Sequence, residues 1–355
     1  MSELHHDAVV VDAHNDLLLT VAYRRARGED DHFGDYWLPR MRTGGVDVQI
    51  TPVFIEDDFR PEGGLRRTLQ LIELLYELAA QHPDDVAVCT SAQQIDAART
   101  AGRIAFVPAL EGCEQVGTDV DLLRSLYRLG IRVASLTHFG RTMLADGSAL
   151  EGLGAGLTHA GREALDEMER LRMIVDVSHL SAAGTDEVLE RATAPVIATH
   201  SSCRAITDHH RNLRDDQLRG IAATGGVVGI NFFPEFVDPN DHSMDRLLDH
   251  FEHAVEVAGA DHVGLGPDFV REYFCMVGDV DGGMTENGVS FTATIEGLES
   301  VADLPQLTTA MLARGFPEAT VRGILGGNFL RVLRAVLIDA TVPNDLVPLE
   351  DSLHG

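Results

Sequence analysis

The sequence predicts a (β/α)8 TIM barrel, and three features carry that expectation. Eight short runs of β-branched and apolar residues recur over roughly 260 residues, most of them followed by a helix-sized stretch. Such alternation implies a parallel sheet. Six of the eight runs end in a His or a carboxylate, and catalytic residues of such barrels sit at those strand ends. Finally, the first run leads into Ala13-His14-Asn15-Asp16, where a doubly wound nucleotide fold would carry a Gly-rich phosphate loop.

The first strand is read at Val9-Val10-Val11-Asp12, and the second within Gly44 to Phe54. A helix is expected from about Leu65 to Ala80, with Leu65, Leu69, Ile72, Tyr76 and Ala79 at helical spacing. Arg103 to Leu110 forms the third strand, ending at Glu111. Thr118 caps a helix carrying Leu122, Leu126 and Leu129, which Gly130 stops. Ile131 to Thr137 is the fourth strand, ending at His138. A glycine-rich loop around Gly147 to Gly156 leads into a helix from about Thr158 to Leu171. Met173 to Ser178 ends at His179, Ser181 caps the next helix, and Pro195 to Thr199 ends at His200. The polar loop from Ser201 to Asn212 precedes a short helix near Asp215. Gly226 to Phe233 is the seventh strand, Ser243 caps a helix, and His262 to Pro267 ends at Asp268. A long insertion follows from about 270 to 303, a length often used for lids. The C-terminal part, about Leu304 to Ile338, is helical and packs on the barrel, with Gly326-Gly327-Asn328 as a tight turn into a helix. The whole chain, 1–355, reads as one domain.

Composition narrows the chemistry. A net charge of −28 argues against nucleic acid and anionic membrane surfaces as partners. All 28 basic residues are Arg, so Schiff-base lysines, a Walker-type phosphate loop and a carbamylated-lysine metal bridge are excluded. Cys89, Cys113, Cys203 and Cys275 show no metal-binding spacing. No signal peptide or membrane-length apolar run is seen, so the expected setting is cytoplasmic, with free thiols.

His14 and Asp16 lie two apart and share one side of an extended strand end. With Glu111, His179 and His200 they offer three imidazoles and two carboxylates. That is rich for one catalytic zinc and suits two metals about 3.5–4 Å apart with one shared ligand. With lysine absent, Glu111 is the natural bridge, alongside a shared water. Mixed N/O ligation favours zinc, with manganese, cobalt or iron compatible. Asp268 is placed to move a proton from the attacking water to a leaving amine. His138 is placed to donate to an oxyanion. The histidines His5, His6, His32, His242, His250 and His253 fall in the tail, loops or helices and read as solvated surface.

In this order, the motifs resemble those of the membrane dipeptidase (renal dipeptidase) family of zinc metallopeptidases, within the amidohydrolase-like barrels. The resemblance runs from Val11 to about Val332. It rests on Asp12-Ala13-His14-Asn15-Asp16-Leu17, Leu110-Glu111-Gly112, Leu136-Thr137-His138, Val175-Asp176-Val177-Ser178-His179, Thr199-His200-Ser201-Ser202, Arg211-Asn212-Leu213, Gly266-Pro267-Asp268-Phe269 and Gly326-Gly327-Asn328-Phe329-Leu330-Arg331-Val332. It implies a two-zinc dipeptidase in which His14 and Asp16 hold one ion, His179 and His200 the other, and Glu111 bridges. His138 would polarise the scissile carbonyl, and Asp268 would be the proton shuttle. Arg211, which otherwise reads as a surface arginine among acidic neighbours, would clamp the substrate's α-carboxylate. The resemblance further implies tolerance of a D-residue at the C-terminal position and, in some members, β-lactam opening. Lactonase or deaminase chemistry on the same scaffold is the rival reading, although deaminases of this superfamily usually open with a His-x-His pair. A homodimer is expected only because two-fold pairs are common. The sequence departs from the family after Asp268. Phe269-Val270-Arg271-Glu272-Tyr273-Phe274 stands where relatives often carry a small acidic pair, and should border the substrate side chains.

Overall fold

The structure, a computed structural model, describes residues 3–150, 152, 155–278 and 283–338. Nine strands form one sheet: β1 (Val11–Asp12), β2 (Val48–Phe54), β3 (Val86–Val88), β4 (Ile104–Glu111), β5 (Val133–Ser135), β6 (Ile174–Asp176), β7 (Ile197–Ala198), β8 (Val227–Asn231) and β9 (Val263–Gly266). Eight of them ring in the order β1-β2-β4-β5-β6-β7-β8-β9, all paired parallel. Backbone bonds from Ala13 N to Leu265 O (3.1 Å) and from Asp268 N to His14 O (3.0 Å) bring the last strand back to the first. The architecture is therefore the expected (β/α)8 barrel.

Of the eight expected strands, seven fall within their apolar runs and are shorter than them, while β4 is shifted one residue on, to include Glu111. The ninth strand, β3, is an addition. It takes the first part of one β4 edge (Val86 opposite Ile104), while β5 takes the later part (Val133 opposite Ala109).

Inside the ring, Val11, Val48, Ile50, Ala105, Val107, Val133, Ile174, Ile197 and Val227 form one apolar cluster. Phe329, Leu330 and Leu333 of the helix Asn328–Val336 close it from the strands' N-terminal side. Asn328 Nδ2 donates to Ala260 O and Val263 O, each at 2.8 Å, fixing that helix beside β9. The turn before it needs a glycine at 326, since an added Cβ would sit 2.6 Å from both Val9 O and Val11 N.

The outer helices largely follow the signals that predict them. Thr158, Ser181 and Ser243 each accept a capping bond from the backbone N–H three residues on, which typically contributes about 1 kcal/mol per cap. Thr118 does not cap. Its helix starts later, at Leu122–Arg128, with no side-chain cap at Asp121.

The helix Gly64–Gln81 buries Leu71, Ile72, Leu74, Leu75 and Leu78, so the expected face is rotated: Leu65, Leu69 and Tyr76 are exposed. A helix apolar on two sides gives spacing alone no way to choose. The helices Leu17–Arg25 and Ala92–Thr100 were not expected from the sequence. His5, His32 and His250 are buried rather than solvated; His5 Nδ1, for example, lies 2.7 Å from Thr308 Oγ1. Part of the glycine-rich loop and residues 279–282 of the insertion lie outside the described residues. The described part of the insertion forms a short helix, Arg271–Val277, and irregular chain that walls the strands' C-terminal mouth.

Candidate metal centre

The carboxyl ends of the strands bring His14, Asp16, Glu111, His138, His179, His200 and Asp268 into one cluster. Glu111 Oε1 is its centre. It lies 3.0 Å from His179 Nε2, 3.4 Å from His14 Nε2 and 3.5 Å from His200 Nε2. The His179 and His200 Nε2 atoms are 2.8 Å apart, and the His14 and His200 rings stack with centroids at 3.7 Å. His14 Nε2 is also 3.9 Å from Asp268 Oδ1. Ligand atoms of His14, Asp16 and Asp268 gather on one side, and those of Glu111, His138 and His179 on the other.

Several devices hold these groups. His14 N donates to Asp12 Oδ1 (3.0 Å), and Asn15 Nδ2 to Asp12 Oδ2 (3.2 Å), so a buried carboxylate shapes the turn after β1. Both His179 (φ 67°) and Asp268 (φ 57°) adopt left-handed backbone, which typically costs 1–3 kcal/mol and is common at functional sites. Asp268 Oδ2 accepts from Asn231 Nδ2 at 2.9 Å, leaving Oδ1 toward His14.

Asp176 accepts from Ser178 N, Thr199 N and the Thr199 hydroxyl. With its proton given to Asp176, Thr199 Oγ1 accepts from His200 Nδ1, 2.8 Å away. That places the proton on Nδ1 and leaves the lone pair of His200 Nε2 toward the cluster. Asp176 and Thr199 were not singled out as support from the sequence. The available signal is a charged residue closing the apolar run Met173-Ile174-Val175.

Burial dominates the electrostatics. It pushes His14 down to about 3 and His138, His179 and His200 well below the ordinary imidazole range, so all four are neutral. It also pushes Asp16 up to about 8 and raises Glu111, with neighbouring carboxylates adding to both shifts. Asp268 is raised by burial and drawn back by Asn231 and Arg211. Buried His14 Nε2 and Asp16 Oδ1 have no hydrogen-bond partner among the described residues. Neutral imidazoles facing crowded carboxylates make a donor set short of positive charge, which is what a divalent cation supplies.

Arg211 is buried, not a surface residue. Nη2 donates to His200 O (2.9 Å) and Nη1 to Ser201 Oγ (3.2 Å), while buried Nε has no partner among the described residues. Its guanidinium carbon lies 5.5 Å from the Phe236 ring centre and 6.0 Å from that of Phe139. A cavity of about 520 Å3 opens over the cluster, walled in part by Phe54, Phe139, Phe233, Phe236 and Phe274.

A further His–Glu group stands at its rim, with His209 Nε2 2.9 Å and His210 Nε2 3.4 Å from Glu286 Oε1. Arg211 N donates to His209 Nδ1 (3.1 Å), so His209 carries its proton on Nε2 and offers no lone pair there for a metal. The rim group and Phe233, Phe236 and Phe291 carry no local signal in the sequence, where they are scattered from 209 to 291, whereas Val270, Tyr273 and Phe274 of the segment after Asp268 line the cavity as that segment's position implies.

Comparison with known proteins agrees with this geometry. The sequence model of the membrane dipeptidase family (peptidase family M19) matches residues 1–341. Dipeptidase aclJ of Aspergillus oryzae is 33% identical over 364 residues, covering 97% of this chain and 82% of that protein. An uncharacterized dipeptidase of Schizosaccharomyces pombe is 34% identical, covering 99% of this chain and 86% of its own. Among solved structures, a metallopeptidase from Rhodobacter sphaeroides, bound to a phosphinate mimic of the dipeptide L-Ala-D-Ala, superposes with a TM-score of 0.80. It is 27% identical, covering 93% of this chain and 100% of that one. A barrel with a His- and carboxylate-rich mouth, matched by this family along nearly its whole length, is thus a dipeptidase of the membrane dipeptidase family of metallopeptidases, M19.

Proposed function

We propose that this protein is a two-zinc dipeptidase that hydrolyses dipeptides with a free C-terminal carboxylate, D-residues at that position included. The observation that carries the proposal is the convergence of three Nε2 atoms on Glu111 Oε1, with a buried, partly unpartnered guanidinium nearby. His14 and Asp16 would hold one ion, His179 and His200 the other, and Glu111 would serve both. When bound, such ions supply the charge that acidifies a water and polarises a carbonyl.

The remaining steps belong to the chain's own residues. Arg211 binds the α-carboxylate through Nε and its spare N–H groups, in an apolar surround that strengthens the pair. His138, kept neutral by burial, donates to the oxygen of the scissile carbonyl as charge develops there. Asp268, oriented by Asn231, takes the proton of the attacking water and delivers it to the leaving amine. The D-residue tolerance draws support from the L-Ala-D-Ala mimic bound by the Rhodobacter relative. No observation favours a lactone or deaminase substrate over a dipeptide.

The test is hydrolysis by zinc-loaded protein of matched L-Xaa-L-Xaa and L-Xaa-D-Xaa dipeptides, with N-acetylated and C-amidated controls and bound metal quantified. About two metals per chain, with cleavage abolished by C-amidation, is the expected result. Metal-loaded protein that leaves every dipeptide intact would overturn it.

A further inference from the structure

The ring order of the barrel fixes which wall the substrate's C-terminal residue faces. In the proposed reaction that residue supplies both the leaving amine, at Asp268, and the α-carboxylate, at Arg211. Asp268 follows β9 and Arg211 follows β7, and β8 lies between those two strands. The Cα joining amine and carboxylate therefore lies over the end of β8.

What stands there is aromatic. Beyond β8 come Phe233 and Phe236, with ring centres 5.1 Å apart. From the insertion, Phe291 stacks on Phe233 at 6.2 Å, and Phe274 stacks on Phe291 at 4.5 Å with 21° between planes. All four rings line the main cavity. Phe236 also abuts the Arg211 guanidinium, so the aromatic wall begins beside the carboxylate clamp.

The segment after Asp268 sorts its residues by side. Val270, Tyr273 and Phe274 line the cavity, whereas Glu272 is turned outward to His32 Nε2 (3.3 Å) and Arg24 Nη2 (3.5 Å). Its bulk borders the substrate and its charge does not. The same wall carries Glu235, which accepts from Asn287 N and Nδ2, and Glu286. Two carboxylates there disfavour an anionic side chain.

We propose that the side chain of the substrate's C-terminal residue enters a box formed by Phe233, Phe236, Phe274 and Phe291, making dipeptides with a bulky apolar, above all aromatic, C-terminal residue the preferred class. This rests on the dipeptidase reading above. An apolar side chain leaves water for rings already in place, and a ring gains offset or edge contacts with them as well. A C-terminal Glu meets Glu235 and Glu286 instead.

The experiment measures kcat/KM of the zinc-loaded enzyme on Gly-Phe, Gly-Leu, Gly-Ala and Gly-Glu, with Phe-Gly and Ala-Gly as the reversed pair. The expected order is Phe, Leu, Ala, Glu, with Gly-Phe at least about tenfold above Gly-Ala, the scale of hydrophobic-pocket discrimination. Phe291→Ala lowers the Gly-Phe to Gly-Ala ratio about tenfold, and Phe291→Leu restores part of it. Gly-Phe and Gly-Ala within twofold of each other, or Gly-Glu preferred, would overturn the box while leaving the dipeptidase standing. A preference for Phe over Ala only in the reversed pair would overturn the assignment of the box to the C-terminal residue. An unchanged ratio in Phe291→Ala would overturn the role of that wall. Failure to cleave any of the six dipeptides would overturn the dipeptidase reading and the box with it.

Discussion

Replacing Arg211 by Met keeps the volume of the side chain and removes its charge and donors. In the free protein the loss is local: His200 O and Ser201 Oγ give up donors at 2.9 and 3.2 Å. Unsatisfied buried groups cost about 1–3 kcal/mol each. Burial already pushes the Arg211 guanidinium down to about 10, so removing the cation offsets part of that cost. The effect on substrate is larger and specific. A carboxylate held bidentately by a buried guanidinium loses roughly 2–5 kcal/mol when its partner is truncated, equivalent to about 30- to 4,000-fold in kcat/KM. The assay is a double-mutant cycle with the second change made in the substrate: wild type and Arg211→Met, each on Gly-Phe and its C-terminal amide, normalised to bound metal. Amidation should penalise wild type by that full factor and Arg211→Met by little. Equal penalties in the two proteins would show that Arg211 does not meet the carboxylate. A loss of activity that tracks a loss of metal would instead place its effect in supporting His200.

The other predictions concern groups around the same centre and one far from it. Asp268→Asn keeps the bond from Asn231 within reach but cannot carry the proton, so metal content should hold while kcat falls roughly 10²–10⁴-fold; near-normal turnover rules out the shuttle. Thr199→Val removes the acceptor for His200 Nδ1, and metal affinity in a chelator competition should drop about 10–100-fold, with Thr199→Ser restoring it; equal affinities in all three proteins refute the relay. His250 accepts from Cys203 N at Nδ1 (3.0 Å) and faces Val237 O through Nε2 (2.8 Å), and burial pushes it from 6.5 to about 4. Its contribution is complete above pH 6.5 and is lost as pH falls toward 4, because the unfolded chain binds a proton there that the folded chain refuses. Urea titrations should show the stability gap between wild type and His250→Gln constant above pH 6.5 and narrowing by about 3 kcal/mol toward pH 4. A gap that does not change with pH would show that His250 is not held neutral.

The barrel and its polar mouth were legible because parallel strands buried on both faces are written as unbroken apolar runs. The residue that ends each run then stands at the rim. His14, Glu111, His138, His179, His200 and Asp268 were found in this way, one strand end at a time. What supports them was not found, because support comes from residues whose type admits a plainer reading. Asp176 ends an apolar strand, and Thr199 reads as an ordinary β-branched strand residue. By residue type alone Arg211 reads as surface, and only the motif resemblance marks it; in the structure it is buried. The helix Gly64–Gln81 exposes Leu65 and Leu69 yet buries Leu71 and Leu75, a choice made by its neighbours and not by its period. His250 shows the same limit, since an isolated histidine carries no mark of burial in the sequence. The aromatic wall was hidden by distance: Phe233 and Phe291 stack although 58 positions separate them.

Charge explains why so costly a cluster fits a protein of net charge −28 without lysine. Asp16, Glu111 and Asp268 crowd together, and Arg211 is the cation beside Glu111 and Asp268, so ionising all three leaves two negative charges uncompensated. Burial raises all three carboxyl groups, and neighbouring carboxylates add to the shift at Asp16 and Glu111. One divalent ion would balance the uncompensated charge, and two would reverse it. Only a doubly occupied site would present excess positive charge to an incoming carboxylate, in a molecule whose acidic surface otherwise repels anions. A single-ion site would leave Arg211 alone to draw the substrate's carboxylate past Glu235 and Glu286. A second ion and the guanidinium would then serve the same end, and occupancy of both proposed metal positions should lower KM for free dipeptides more than for their C-terminal amides. A KM ratio between acid and amide that stays the same at one and two ions per chain would break the link between metal count and carboxylate recognition.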